Sequence, residues 1–299
     1  MSISQNRLVR QLTVVFVLLL SGSVLSADEP AKSPFADPAE EATWRWFLER
    51  SGRQQHIERD NKGKAKWVGV RDEKNERGEY YTGSVDLDAD GYVVKMTANG
   101  PNFSNDDYQR LLPFQRLKTL TTWHNGWVKS NDKTPYSGAG LTHLKPLPLE
   151  SFNIGGSWFN NEGMQAANEL PHLRDLMVGH TRITDLGVKA LRNNNHLRKL
   201  ALGPQFSQNV TEACLADIAT LSKLEELEFN ETILTWEGGL KELVALKDHL
   251  KKLKLDRALI PAADFEKLKA SLPQTAIDYK EATEEQAKQM QAAAARTKK

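Results

Sequence analysis

Three stretches of the chain can be laid over one another: Leu173-Arg174-Asp175-Leu176-Met177-Val178, Leu197-Arg198-Lys199-Leu200-Ala201-Leu202 and Leu250-Lys251-Lys252-Leu253-Lys254-Leu255. Each places an apolar residue at the first, fourth and sixth positions. Counted from the first apolar position, copies begin at Val93, Leu117, Leu149, Leu173, Leu197, Leu224 and Leu250, at intervals of 24, 32, 24, 24, 27 and 26 residues. A degenerate copy follows Pro273, with Ile277 and Tyr279 in the later positions. A unit of this length cannot bury an apolar face alone, so its recurrence predicts a stack in which each copy covers its neighbour.

The fourth and sixth positions lie two residues apart, so in an extended strand both point to one side and the residue between them points to the other. The outward positions follow from this register. They run from Lys95, Thr97 and Asn99 through Thr119, Thr121, Trp123, Ser151, Asn153, Gly155, Asp175, Met177, Gly179, Lys199, Ala201 and Gly203 to Glu226, Glu228, Asn230, Lys252, Lys254 and Asp256. The second half of each copy carries helical spacing, as in Met164-Ala167-Leu170, Leu215-Ile218-Leu221 and Phe265-Leu268-Leu272. Ser104, Thr184 and Thr211 stand as capping residues before acidic ones, and Pro261 suits a first helical turn.

Thr181-Arg182-Ile183-Thr184-Asp185-Leu186-Gly187-Val188-Lys189-Ala190-Leu191 resembles the bacterial, secreted type of leucine-rich repeat, with its T-x-I-T-D-x-G-[LV]-x-x-L pattern. The other copies are looser: Gly203-Pro204 and Asn230-Glu231-Thr232 replace the turn, and Phe152 and Ile154 stand in the third copy. The resemblance covers residues 93–279. It implies a right-handed α/β solenoid with a parallel concave sheet and convex helices, and a role in holding a partner without catalysis.

Around this core the chain divides into residues 1–27, 28–36, 37–91, 92–279 and 280–299. Arg7 and Arg10 precede the apolar run Leu12–Leu20, and small residues follow to Ala27, the pattern of a cleaved secretory signal. The run is too short to span a bilayer comfortably. Export, with no stable membrane insertion after cleavage, is therefore expected. Residues 28–36 read as a flexible linker. Residues 37–91 read as a cap, with a helix from Asp37 that buries Trp44, Phe47 and Leu48, and strands near Lys66–Arg71 and Tyr80–Leu87. Residues 280–299 are rich in Ala, Glu, Gln and Lys with Met290 as their one large apolar residue, which predicts a solvated, frayed helix or disorder.

Forty basic and 39 acidic residues give a net charge of +1, which supplies no field for nucleic acid or an anionic membrane. The single Cys214 lies in an apolar helical pattern and reads as a buried hydrophobe, so no intrachain disulfide is possible. H-E-x-x-H, G-x-S-x-G and the glycine-rich phosphate loops are absent. Asp86, Asp88, Asp90 and Gly91 imitate the start of a calcium loop, but Thr97 stands where a bidentate glutamate belongs. A hairpin turn accounts for them better. His172 and His196 precede equivalent leucines, and Lys223 interrupts the series before His249. No metal or cofactor is expected.

The long second copy adds eight residues within Trp123–Gly140. Insertions in repeat proteins fall in loops, and such loops often bind. Trp123, His124, Trp127, Tyr136 and Trp158 are expected to gather on one edge beside Asn153 and Met177 of the concave face. That surface suits a protein partner; flat aromatic rings would also stack on sugars. The alternative is that the rings pack the insertion against the stack. A monomer is expected.

Overall fold

The computed structural model describes residues 33–50, 54–59, 65–74, 80–99, 103–124, 136–204 and 209–297. The chain forms two units, Met1–Ser33 and Pro34–Lys299, and all the elements below belong to the second. Residues 1–27, expected to be a secretory signal, lie outside the described residues.

Helix α1 (Pro38–Arg50) leads into β1 (Gln54–Arg59), β2 (Ala65–Lys74), β3 (Tyr80–Leu87) and β4 (Val93–Asn99). These four strands pair antiparallel in chain order. From β4 the pairing turns parallel and continues through β5 (Thr119–Trp123), β6 (Ser151–Gly155), β7 (Asp175–Gly179), β8 (Lys199–Gly203), β9 (Glu226–Phe229), β10 (Lys252–Ala258) and β11 (Ala276–Glu281). The eleven described strands form one sheet whose spatial order is the chain order, the topology of a right-handed leucine-rich-repeat solenoid. Strand β1 escaped the sequence, because Gln54–Arg59 has no alternating apolar pattern.

The register matches the repeat. Leu120, Phe152, Leu176, Leu200, Leu227, Leu253 and Ile277 pair in sequence across adjacent strands. The leucines that open the copies, Leu117, Leu149, Leu173, Leu197, Leu224 and Leu250, are at most 2% exposed. Each buried leucine contributes roughly 1.5–3 kcal/mol, so the two columns hold the stack together. Cys214 is buried among them, and burial pushes its thiol well up.

On the convex side lie α2 (Asn161–Asn168), α3 (Asp185–Lys189), α4 (Leu215–Ile218) and α5 (Ala262–Ser271). The first two copies instead carry 3-10 turns at Asp106–Leu111 and Ala139–Leu144. The expected caps form. Ser104 and Asp107 bond reciprocally, Thr184 accepts from the Leu186 amide at 3.3 Å, and Thr211 accepts from the Ala213 amide at 3.2 Å. Asn160 caps α2 in the same way.

Side chains at the first helical turns also tie one copy to the next. Asn161 accepts from the Thr184 amide at 2.9 Å, Asp185 from both the amide and hydroxyl of Thr211 at 2.7 Å, and Glu212 from the amide and hydroxyl of Thr235. The Asp185 and Glu212 bonds are charge-assisted, and such bonds are roughly twice as strong as neutral ones. Asp185→Ala is therefore expected to lower the unfolding free energy by about 2 kcal/mol, read from the urea midpoint at unchanged m-value.

Two boundary expectations change. Within residues 28–36, Phe35 is buried and the Ala36 amide donates to the Gly91 carbonyl at 2.9 Å, so flexibility does not extend to these positions; residues 28–32 lie outside the described residues. The tail forms α6 (Glu284–Thr297) with Met290 fully buried, because Gln286, Ala287, Met290, Ala293 and Ala294 share one half-sheltered face.

Candidate partner-binding face

Every outward residue read from the repeat and described in β5–β10 takes the expected side of the sheet. Asn153, Met177, Ala201, Glu228 and Lys254 form one column, and Ser151, Asp175, Lys199, Glu226 and Lys252 form the column before it. Together they line a concavity of about 280 Å³. Asn153 donates to the Thr121 hydroxyl at 3.2 Å. Met177, on β7, is 36% exposed, one of three large apolar side chains left open among the described residues.

Ion pairs cross between neighbouring strands. Lys254 meets Glu228 at 2.7 Å. Glu226 differs. It pairs backward with Lys199 at 2.9 Å, not forward with Lys252. The bond to Glu226 pushes the Lys199 ammonium up.

The position that follows the last outward residue forms a further column: His124, Gly156, His180, Pro204, Glu231 and Arg257. Five of these six adopt positive φ, between 53° and 59°. Here the chain bends out of the sheet, and the amides of His124, Gly156, His180 and Glu231 donate to carbonyls of the neighbouring copy. Glu231 is 1% exposed and lies between His180, at 3.1 Å, and the Arg257 guanidinium, at 2.9 Å. The repeat signature misses this cluster, since its members are 51 and 26 residues apart; writing the copies in register brings them into one column.

The expected aromatic edge is only partly present. Trp123 and His124 are half-buried, and their rings lie over Gly155 and Gly156: a Cβ on Gly155 would fall 1.9 Å from the Trp123 ring. Trp158 is 45% exposed, with the Arg182 guanidinium 5.0 Å from its ring centre. Tyr136 is a correction. It is buried, stacks on Tyr108 at 6.2 Å and shares a 2.7 Å hydroxyl hydrogen bond with it. Packing of the insertion's end against the first copy buries more apolar ring than an exposed edge would allow. Trp127 lies outside the described residues.

The acidic turn is structural. Asp88 accepts from the amides of Asp90 and Tyr92, Gly91 has φ of 89°, and Arg116 bridges Asp88 at 2.9 Å and Asp90 at 2.7 Å. These bonds hold the Asp88 carboxyl below its ordinary range despite the opposing effect of burial. No group of three or more His, Cys, Asp or Glu among the described residues is placed to hold a metal ion. Among the described residues, no helix is long and apolar enough to cross a membrane.

No family model matches the chain, and no curated protein does. Solved structures of similar fold include a leucine-rich-repeat protein of Leptospira interrogans, 22% identical, covering 57% of this chain and 45% of its own with a TM-score of 0.35. An internalin from Listeria monocytogenes is 20% identical, covering 60% of this chain and 58% of its own with a TM-score of 0.38. TLR13 in its complex with ssRNA13 is 15% identical, covering 61% of this chain and 31% of its own with a TM-score of 0.32. The chain thus spans less than two thirds of the length of each. What unites it with them is the leucine-rich-repeat fold, a parallel sheet built one copy at a time.

Proposed function

We propose that this chain is an exported, non-catalytic binding protein that recognises another protein through the concave face of the solenoid and the adjoining 123–140 insertion. The observation that carries the reading is Met177, left open on β7 within a concavity that also holds six charged side chains. Interface centres combine exposed apolar side chains with a polar surround in this way, and a solenoid offers its concave sheet as an extended rigid surface. The carbohydrate reading has less support: Trp123 rests one ring face on Gly155, and Arg182 lies over Trp158.

A photo-crosslinking amino acid at Met177 is expected to capture a partner from the native extracytoplasmic fraction, and the same group at the exposed convex Lys189 is not. Trp123→Ala with Trp127→Ala is expected to weaken that capture at least tenfold. Capture from position 189 alone would overturn the assignment.

A further inference from the structure

The concavity contains six charged side chains, and four of them are paired: Lys199 with Glu226 and Lys254 with Glu228. Asp175 and Lys252 have no ion-pair partner among the described residues. Both belong to the column in which Asp175, Lys199, Glu226 and Lys252 stand side by side on successive strands. The charges alternate along this line, and because the inner two neutralise each other, an anion remains at one end and a cation at the other. Burial raises the Asp175 carboxyl above its ordinary range, with Lys199 only partly opposing it. Asp175 is thus an anion short of both water and a direct counter-charge.

The distance between these ends is fixed by the sheet. Three inter-strand steps of about 4.8 Å separate them by roughly 14 Å. An extended peptide advances about 3.4 Å per residue, so residues i and i+4 span nearly the same length. Residues i, i+2 and i+4 also point to one side of such a peptide. The middle one would fall between β8 and β9, beside the small Ala201 of the neighbouring column; exposed Met177 stands one strand away, on the strand that carries Asp175.

We infer that the concave face takes an extended segment of a protein partner lying across the strands. Its basic residue i sits on Asp175 with its aliphatic stem beside Met177, its apolar residue i+2 on Ala201, and its acidic residue i+4 on Lys252. This rests on the concave-face reading above and names the chemistry it selects. The recognition is by side chains, so either chain direction satisfies it. A free amino acid or another small zwitterion is too short to reach both charges.

The test is fluorescence anisotropy of the full chain with dye-labelled peptides. The probe is Gly-Ser-Arg-Ser-Leu-Ser-Glu-Ser-Gly. Its controls carry Glu or Arg at both charged positions, or omit the serine between leucine and glutamate. The probe is expected to bind at least tenfold more tightly than each control. Asp175→Lys is expected to shift the preference at least tenfold toward the peptide with two glutamates. Both charges lie on the surface of the sheet, and unchanged circular dichroism and urea midpoint will show that the variant folds. Equal binding of all peptides, or a preference unmoved by Asp175→Lys, overturns the inference. If no peptide binds while the crosslinker at Met177 still captures a partner, the charge assignment falls and the concave-face reading stands. Self-association in sedimentation that Asp175→Lys abolishes also overturns it, giving the face to a second copy of the chain.

Discussion

Gly140→Ala is expected to lower the unfolding free energy by about 3 kcal/mol, the upper end of the usual cost of overpacking. Gly179→Ala is expected to raise it by about 0.5 kcal/mol. The two substitutions are chemically the same and neither glycine has positive φ, so the difference is one of space. A Cβ on Gly140 falls 1.8 Å from the Asn105 carbonyl oxygen and 2.6 Å from its carbon, both backbone atoms that side-chain rotation cannot move. The surroundings are equally fixed. The Asn105 side chain accepts from the amides of Ser137 and Gly138, at 3.3 and 3.0 Å, and donates to the Ser137 hydroxyl at 3.1 Å. The end of the long second copy is thus fastened directly onto the first. Around Gly179 a Cβ meets nothing within 4 Å, so the dominant effect is the reduced freedom of the unfolded chain, worth about 0.4–1 kcal/mol. Urea denaturation of the two variants beside the parent decides the matter. Equal midpoints would mean that residues 136–140 do not dock as described.

These glycines also mark how far the sequence could be read. Gly179 belongs to the repeat, and its place on the outward side follows from counting: a period of two within the strand and about two dozen between strands determine both partner and side. The same arithmetic places Leu200 in the core, Met177 on the face and Ile277 in a strand that lacks the full signature. Gly140 belongs to the insertion, where no period operates. Its role depends on Asn105, whose carbonyl approaches only once the first two copies have stacked. Tyr136 was misplaced for the same reason, since an aromatic residue in a loop looks alike whether it faces solvent or Tyr108. The partial pairing on the face shows an intermediate case. Sequence sets Glu226 between Lys199 and Lys252, but side-chain reach selects Lys199. Glu231 is harder again, because its environment is assembled from His180 and Arg257, two copies and one copy away. Met290 shows the limit of composition: a helix poor in apolar residues still buries its single large one.

Between pH 5.5 and 8 the protein is expected to lose about 2 kcal/mol of stability through a single carboxyl, that of Glu40. This side chain lies on the first turn of α1 and is fully buried, with Oε2 accepting from the Val93 amide at 2.7 Å where β4 begins. Oε1 is buried and has no hydrogen-bond partner among the described residues. Burial is the largest influence on its titration; Asp37 and Asp88 add to it, while the Val93 bond and Arg116 oppose it, and the pKa rises from 4.5 to about 7. The sign follows from linkage. The folded state holds the proton to higher pH than the unfolded state does, so between about 4.5 and 7 folding takes up a proton. Stability is greatest at the acid end of this interval, falls as pH rises, and levels off above about 7. A difference of about 2.5 pKa units corresponds to about 3 kcal/mol at most. The lowered pKa of Asp88 acts in the opposite sense and below this window, because its contribution is lost only as the solution becomes more acid. Glu40→Gln keeps an oxygen for the Val93 amide and removes the charge. Its unfolding free energy is expected to exceed that of the parent by about 2 kcal/mol at pH 8 and to match it within about 0.5 kcal/mol at pH 4.5, because the neutral amide resembles the protonated acid. Subtracting one urea-derived profile from the other removes every other titrating group. Parallel profiles across the window would show that the Glu40 carboxylate is hydrated and that the cap does not close over α1 and β4.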